Sequence, residues 1–151
     1  MFFEDFELGR EYTTYGRTLT DADVVIFASM TGAVNPLFLD EEYAKRTRFG
    51  GRIAPGLLTM STVLGLIYQL PQGFFTEGFV ALVEARGSFL ASVKPGDTIS
   101  SRVKVSDKKE VGGGRGLVTL SFQAFNQGGR KVSEGEFRIM VSTRPRESPS
   151  A

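Results

Sequence analysis

Between Pro55 and Leu70 the chain puts Leu57, Leu58, Met60, Val63, Leu64, Leu66, Ile67 and Leu70 on almost every side of a helix. A surface helix carries one apolar stripe, whereas a helix apolar nearly all round has to be wrapped by other structure. Thr59, Ser61, Thr62 and Gln69 interrupt the run, so it reads as a buried helix and not as a membrane span. Pro55 suits the first helical position, where its missing N–H is not needed. Pro71 ends the helix, and Gln72-Gly73 begins a turn.

The wrapping material follows in the sequence. From Phe79 onward the apolar period changes to two. Ile99, Ser101, Val103 and Val105 alternate with polar residues, as do Val118, Leu120, Phe122 and Ala124, and then Phe137, Ile139 and Val141. Pro95-Gly96-Asp97, Gly112-Gly113-Gly114 and Asn126-Gln127-Gly128-Gly129 separate these runs as turns. The glycine run lacks the strand-to-helix setting and the Lys-Ser/Thr of a phosphate-binding loop, so it reads as a hairpin turn.

Ahead of the apolar helix, Tyr12 to Leu19 suits a first strand. Thr20 with Asp23 forms a capping-box pattern for a helix whose buried stripe is Ala22, Ile26 and Ser29 or Met30. Pro36 interrupts the chain. Asp40 then caps a short helix in which Glu41–Lys45 and Glu42–Arg46 stand as i,i+4 pairs on a solvated face. One strand, short helices, a wholly apolar helix and four long antiparallel strands make an α+β chain with no internal repeat or second domain. Residues 1–142 form the expected single domain, and 143–151, with two Pro and two Ser, an expected flexible C-terminal tail.

What the chain lacks removes whole classes of chemistry. It has no Cys and no His, so thiol nucleophiles, thiolate or imidazole metal sites and Ser-His pairs are all absent. Carboxylates, Lys or Tyr would have to do any proton transfer. Their ordinary pKa values lie far from 7 and need tuning by the fold. The acidic residues show no clustered ligand spacing for a metal. A net charge of +1 gives no general attraction to nucleic acid or to an acidic membrane. The acidic opening Met-Phe-Phe-Glu-Asp-Phe-Glu lacks the basic start of a secretory signal, and a cytoplasmic protein is expected.

Several motifs, in one order, resemble a known family. They are Phe27-Ala28 with Thr31-Gly32, Asn35-Pro36-Leu37, Asp40 with Tyr43-Ala44, Phe49-Gly50-Gly51-Arg52-Ile53-Ala54, and Val93-Lys94-Pro95-Gly96-Asp97-Thr98. Together they resemble the MaoC-like dehydratases, the family of the (R)-specific enoyl-CoA hydratases. The resemblance runs from the Phe-Glu-Leu-Gly opening to the Arg-Ile-Met-Val end. It implies a hot-dog fold, in which a curved antiparallel sheet of about five strands is rolled around the apolar helix. It also implies a pairing of subunits, with a thioester tunnel at their interface.

In that family a Gly-Asp-x-Asn-Pro-x-His run supplies an aspartate and a histidine that add water to a trans-2-enoyl thioester. This chain has Ala33 at the aspartate position and Phe38 at the histidine position. Pro55 stands where a histidine usually precedes the helix glycine, and Leu64 where a serine is often found. Each replacement removes side-chain hydrogen bonding. The resemblance assigns Gly56 a backbone N–H that holds the thioester oxygen, a sound role for a helix N-terminus. Arg52, with Lys45, Arg46 and Arg48, could meet coenzyme A phosphates.

Structural readings stand beside these. Ala33 and Phe38 could pack a dry cavity, Asn35 could only shape a loop, Gly56 could serve close helix packing, and the cations could form a solvated face. Three functions remain. One is an acyl-thioester binder that lacks the dyad, a non-catalytic or accessory subunit working as a homodimer or beside a catalytic paralogue. The second is an active hydro-lyase that takes its acid or base from Glu84, Asp40, Tyr43 or Tyr68, or from a partner subunit. The third is a purely structural oligomer with no ligand. None needs a cofactor; the ligand expected of the first two is the thioester of coenzyme A or of acyl carrier protein.

Overall fold

The computed structural model describes residues 1–147. A 3-10 turn, Phe3–Asp5, leads into β1 (Glu11–Thr13), β2 (Arg17–Thr18), α1 (Asp21–Thr31), α2 (Pro36–Leu39), α3 (Glu41–Lys45) and α4 (Gly56–Tyr68). Four long strands complete the chain: β3 (Phe79–Phe89), β4 (Thr98–Gly112), β5 (Arg115–Phe125) and β6 (Lys131–Ser142). They form an antiparallel sheet of order β1-β4-β5-β6-β3, with β2 paired to β4 beside this path. The α+β hot-dog arrangement expected from the sequence is the one observed.

The alternation of β4, β5 and β6 decides which face meets the helix. Ile99, Val103 and Val105, then Val118, Leu120, Phe122 and Ala124, then Phe137, Ile139 and Val141 are all buried. They share one core with Leu58, Met60, Val63, Ile67 and Leu70 of α4. Phe122 and Phe137 stack across adjacent strands with ring centroids 4.9 Å apart. Burying each such side chain stabilises the fold by about 1.5–3 kcal/mol. The three-glycine turn between β4 and β5 has positive φ at Gly112, Gly113 and Gly114, where a side chain would be strained.

The capping box of Thr20 and Asp23 forms as the sequence predicts, and Asp40 caps α3 through the Tyr43 N–H. Five local expectations need correction. The strand expected over Tyr12–Leu19 is divided into β1 and β2, and Gly16 lies in the break; a Cβ there would stand 3.0 Å from Thr98 Cγ2. Pro36 opens the one-turn helix α2 instead of merely interrupting the chain. Pro55 is the N-cap of α4 and not its first helical residue. Glu41 and Glu42 do not make the expected i,i+4 pairs: Glu42 meets Lys45, and Glu41 meets Arg52. The stripe of α1 is also different, with Val24 and Ala28 buried while Ile26 and Met30 are exposed.

The helix α4 is wrapped on three sides only. Leu57 is 61% exposed and Tyr68 48% exposed, so one flank of the apolar helix is open. The open flank has a counterpart in β3, the last strand of the sheet path, where Val80, Leu82, Val83 and Phe89 are exposed. Near the end of β3, Gly87 pairs with Gly135 of β6. A Cβ on Gly87 would stand 2.9 Å from Met60 Sδ, and one on Gly135 would overlap the Arg86 carbonyl oxygen. The missing side chain at Gly87 lets strand and helix approach closely, and that at Gly135 does the same for β6 and β3. Beyond β6, Thr143 donates its N–H to Gly114 O and Arg144 is held by Glu4 and Asp5, so the start of the expected tail is tied down. Residues 148–151 of that tail lie outside the described residues.

Candidate functional site

Two chain segments that are separate in sequence meet at the N-terminus of α4. Gly32 ends α1 in the left-handed conformation (φ 76°), and the chain turns through Ala33 and Val34 into Asn35. Asn35 Oδ1 accepts the Leu37 N–H at 2.9 Å and caps α2, so this oxygen serves the backbone. Ile53 donates its N–H to Leu37 O at 3.3 Å, and Ala54 donates to Val93 O at 2.7 Å. The loop into α4 is thereby held between α2 and the segment leading to β4.

Arg52 fixes the same loop from the other side. Its Nε donates to Glu41 Oε2 at 2.7 Å and its Nη1 to Asp21 Oδ1 at 2.6 Å. One guanidinium thus joins the start of α1, α3 and the approach to α4. The Arg52 hydrogen bond holds the Glu41 carboxyl below its usual range despite some desolvation, and the carboxylates raise the guanidinium pKa in return. Nothing in the sequence pattern marks this clamp, nor the Lys94 ammonium, which donates to Phe49 O at 2.7 Å.

Gly56 is the first residue of α4. No side chain caps the helix, and no acceptor among the described residues meets the N–H of Gly56 or Leu57. Two unpaired donors at the positive end of a helix suit a carbonyl oxygen that gains negative charge. Phe89 lies directly beside them. A Cβ on Gly56 would stand 3.0–3.2 Å from three carbons of its ring, so glycine is what permits this approach. Nothing in the strand alternation marks Phe89.

Ala33 is half-buried, and Phe38 packs against the main core. Neither carries an ionisable group. Leu64, also packed on the core, lies about 12 Å along α4 from Gly56 at roughly 1.5 Å per residue. The other acid–base candidates are engaged elsewhere. Glu84 pairs with Arg86 and Arg138 on the sheet face turned away from α4. Asp40 caps α3, and Tyr43 sits on that short helix. Tyr68 stacks on Phe75 at 3.7 Å, roughly 18 Å along the helix from Gly56. Lys45 pairs with Glu42, and Arg48 lies 4.8 Å over the Phe49 ring.

No cluster of three metal-binding side chains occurs among the described residues, and no helix there is long and apolar enough to cross a membrane. Hollows among the described residues include a groove of about 310 Å³ between α1 and α4 and a larger one on the outer sheet face. Neither is lined by Ala33, Phe38 or Gly56. The arrangement leaves two backbone N–H donors without an acceptor at the helix end among the described residues.

Comparison with known proteins identifies the fold and the family. The family model described as a MaoC like domain matches residues 5–124. An (R)-specific enoyl-CoA hydratase from Rhodospirillum rubrum is 30% identical over 151 aligned residues, which cover 95% of this chain and 93% of that protein. Among solved structures, an Archaeoglobus protein described as a monoamine oxidase regulatory protein superposes with a TM-score of 0.89 at 30% identity, covering 96% of each chain. A Mycobacterium tuberculosis protein with a double hot-dog fold has a TM-score of 0.80 at 21% identity, covering 99% of this chain and 46% of that one. With its apolar helix, its rolled sheet and the paired segments at Asn35 and Gly56, the chain belongs to the MaoC-like dehydratase family.

Proposed function

We propose that the protein binds an acyl thioester at the N-terminus of α4 without an acid–base pair of its own, as a non-catalytic or accessory member of the enoyl-CoA hydratase family. One observation carries the reading: the unpaired N–H groups of Gly56 and Leu57 stand in the family's frame while Ala33 and Phe38 offer no proton donor or acceptor. General acid–base catalysis contributes typically about 10²–10⁴-fold, so positioning and one oxyanion contact leave hydration slow.

The ligand is a thioester of coenzyme A or of acyl carrier protein, and no resident cofactor takes part. Arg46 and Arg48 are the cations best suited to a phosphate, because Arg52 is occupied by Glu41 and Asp21. The open flank of α4 and the apolar exposed strand β3 support a dimer through the β3 edge. The partner is a second copy or a catalytic paralogue, in the cytoplasm. Such pairing would also remove an unprotected sheet edge.

The test is loss of enoyl-thioester absorbance with crotonyl-CoA and longer trans-2-enoyl-CoA substrates, alongside calorimetric binding of the saturated acyl-CoA. The expected outcome is binding with turnover near background. Turnover of a few per second, within the ordinary range for enzymes, would show an acid or base outside the positions of Ala33 and Phe38. That result would establish the active hydro-lyase instead.

A further inference from the structure

The face of the sheet turned away from α4 holds a hollow of about 1050 Å³ whose floor is a lattice of charges. Strand register fixes the lattice. One row across the sheet reads Glu11, Lys104, Ser121, Glu136, Arg86, from β1 through β4, β5 and β6 to β3. The next row on the same face reads Thr13, Arg102, Gln123, Glu134, Ser88. In signs, the first row is minus, plus, neutral, minus, plus. The second is neutral, plus, neutral, minus, neutral. Each row reversed about β5 is its own opposite.

A third row follows the rule at its centre, where Asp107 on β4 and Arg138 on β6 flank Thr119 on β5, and departs from it at Glu84 on β3, which pairs with Arg138. The cations Arg86, Arg102 and Lys104 balance the anions Glu11, Glu134 and Glu136, so these two rows have no net charge. A uniformly charged partner, such as nucleic acid or an acidic membrane, gains nothing from such a face. The complement it fits is an equal lattice with the order of signs reversed.

We infer that this face docks a second copy of the chain, sheet against sheet, about a twofold axis running along β5. That axis lays β4 of one copy over β6 of the other and β1 over β3. Lys104 then meets Glu136 of the partner subunit, Arg102 meets Glu134 of the partner subunit, and Glu11 meets Arg86 of the partner subunit. Because the contact is isologous, every pair occurs twice. Within one chain Glu136 and Glu134 already meet Arg86 and Lys131, whereas Glu11, Arg102 and Lys104 make no ion pair among the described residues. Docking supplies partners for the three that lack them. The interface is distinct from the β3 edge and does not depend on the thioester reading.

The experiment is sedimentation velocity at tens of micromolar protein and low salt, on the unmodified chain, Lys104→Glu, Glu136→Lys and the double exchange. The unmodified protein should have twice the mass of either single variant, and the double exchange should recover it, because the signs are again opposite across the axis. Raising salt to 1 M should halve the mass of the unmodified protein. Equal masses for the unmodified protein and Lys104→Glu would overturn the inference, as would a folded double exchange that stays at half mass.

Cross-linking tests the same contact without altering a charge. The chain has no cysteine, and across the axis the two copies of Gln123 stand about 10 Å apart, the usual sheet spacing. Gln123→Cys should give a covalent dimer with a bis-maleimide of that length, and addition of Lys104→Glu should abolish it. A yield no greater than that of Gln72→Cys, at an exposed turn away from this face, refutes the docking.

Discussion

Thr59 tests how tightly the interior of α4 is specified. It is 2% exposed, and its Oγ1 is the one side-chain oxygen or nitrogen among the described residues that is fully buried without a partner. Replacement by Val keeps the shape, substitutes a methyl for the hydroxyl and leaves helix propensity nearly unchanged. An unsatisfied buried polar group costs about 1–3 kcal/mol, and Thr59→Val should recover most of that. For a chain of this size each kcal/mol moves the melting temperature by about 2–4 °C, so a rise of roughly 2–8 °C is expected by calorimetry. Thr62→Val is the control. Its hydroxyl donates to Leu58 O at 2.8 Å, and its removal should lower stability by about 0.5–1.5 kcal/mol. The two substitutions are chemically identical and three residues apart, yet opposite in expected sign. If Thr59→Val destabilises as Thr62→Val does, the hydroxyl is satisfied in solution and the reasoning fails.

Three further outcomes follow from the same structure. The Thr20 backbone N–H holds the Asp23 carboxyl below its usual range, against partial burial, with the Thr20 hydroxyl and Arg17 assisting. A depressed carboxylate contributes stability that is present above its unfolded pKa, near 4, and lost as pH falls through the lower folded value. Asp23→Asn should therefore flatten the acid limb of a stability–pH curve, while Thr20→Ala should remove about 1 kcal/mol at neutral pH by urea titration. Gly135→Ala forces a Cβ into the Arg86 carbonyl, and should reach or exceed the upper end, about 3 kcal/mol, of the usual cost of overpacking, read as lost protection of β3 amides in hydrogen exchange. Ala33→Asp with Phe38→His should raise enoyl-thioester hydration at least about 100-fold. A folded, ligand-binding double variant with no gain would refute the role given to Gly56.

The order and type of the elements were legible because their signals are local. Alternation named the inner residues of β4, β5 and β6, and Thr20 and Asp23 are three residues apart. The break between β1 and β2 was not legible, since it depends on Gly16 meeting Thr98 from a distant strand. Nor was the open flank of α4, because hydrophobicity measures what a helix prefers to bury and not which neighbours one chain supplies. The candidate site was legible only where motif residues act through the backbone, at Asn35 and Gly56. Arg52 finds carboxylates 11 and 31 residues away, and Phe89 reaches Gly56 from the end of β3, so tertiary structure alone reveals both.

The glycine pair on β3 and β6 makes the separation of strand from helix a one-residue variable. Met60 Sδ sets how near Gly87 can come, and any side chain at 87 would push β3 outward as a rigid rail, together with Phe89 two residues further on. The clearance at the head of α4 can thus be reset from the back of the sheet edge, without touching the segment from Gly32 to Asp40. A lineage that needs more room at the head of α4 has a single codon at which to find it.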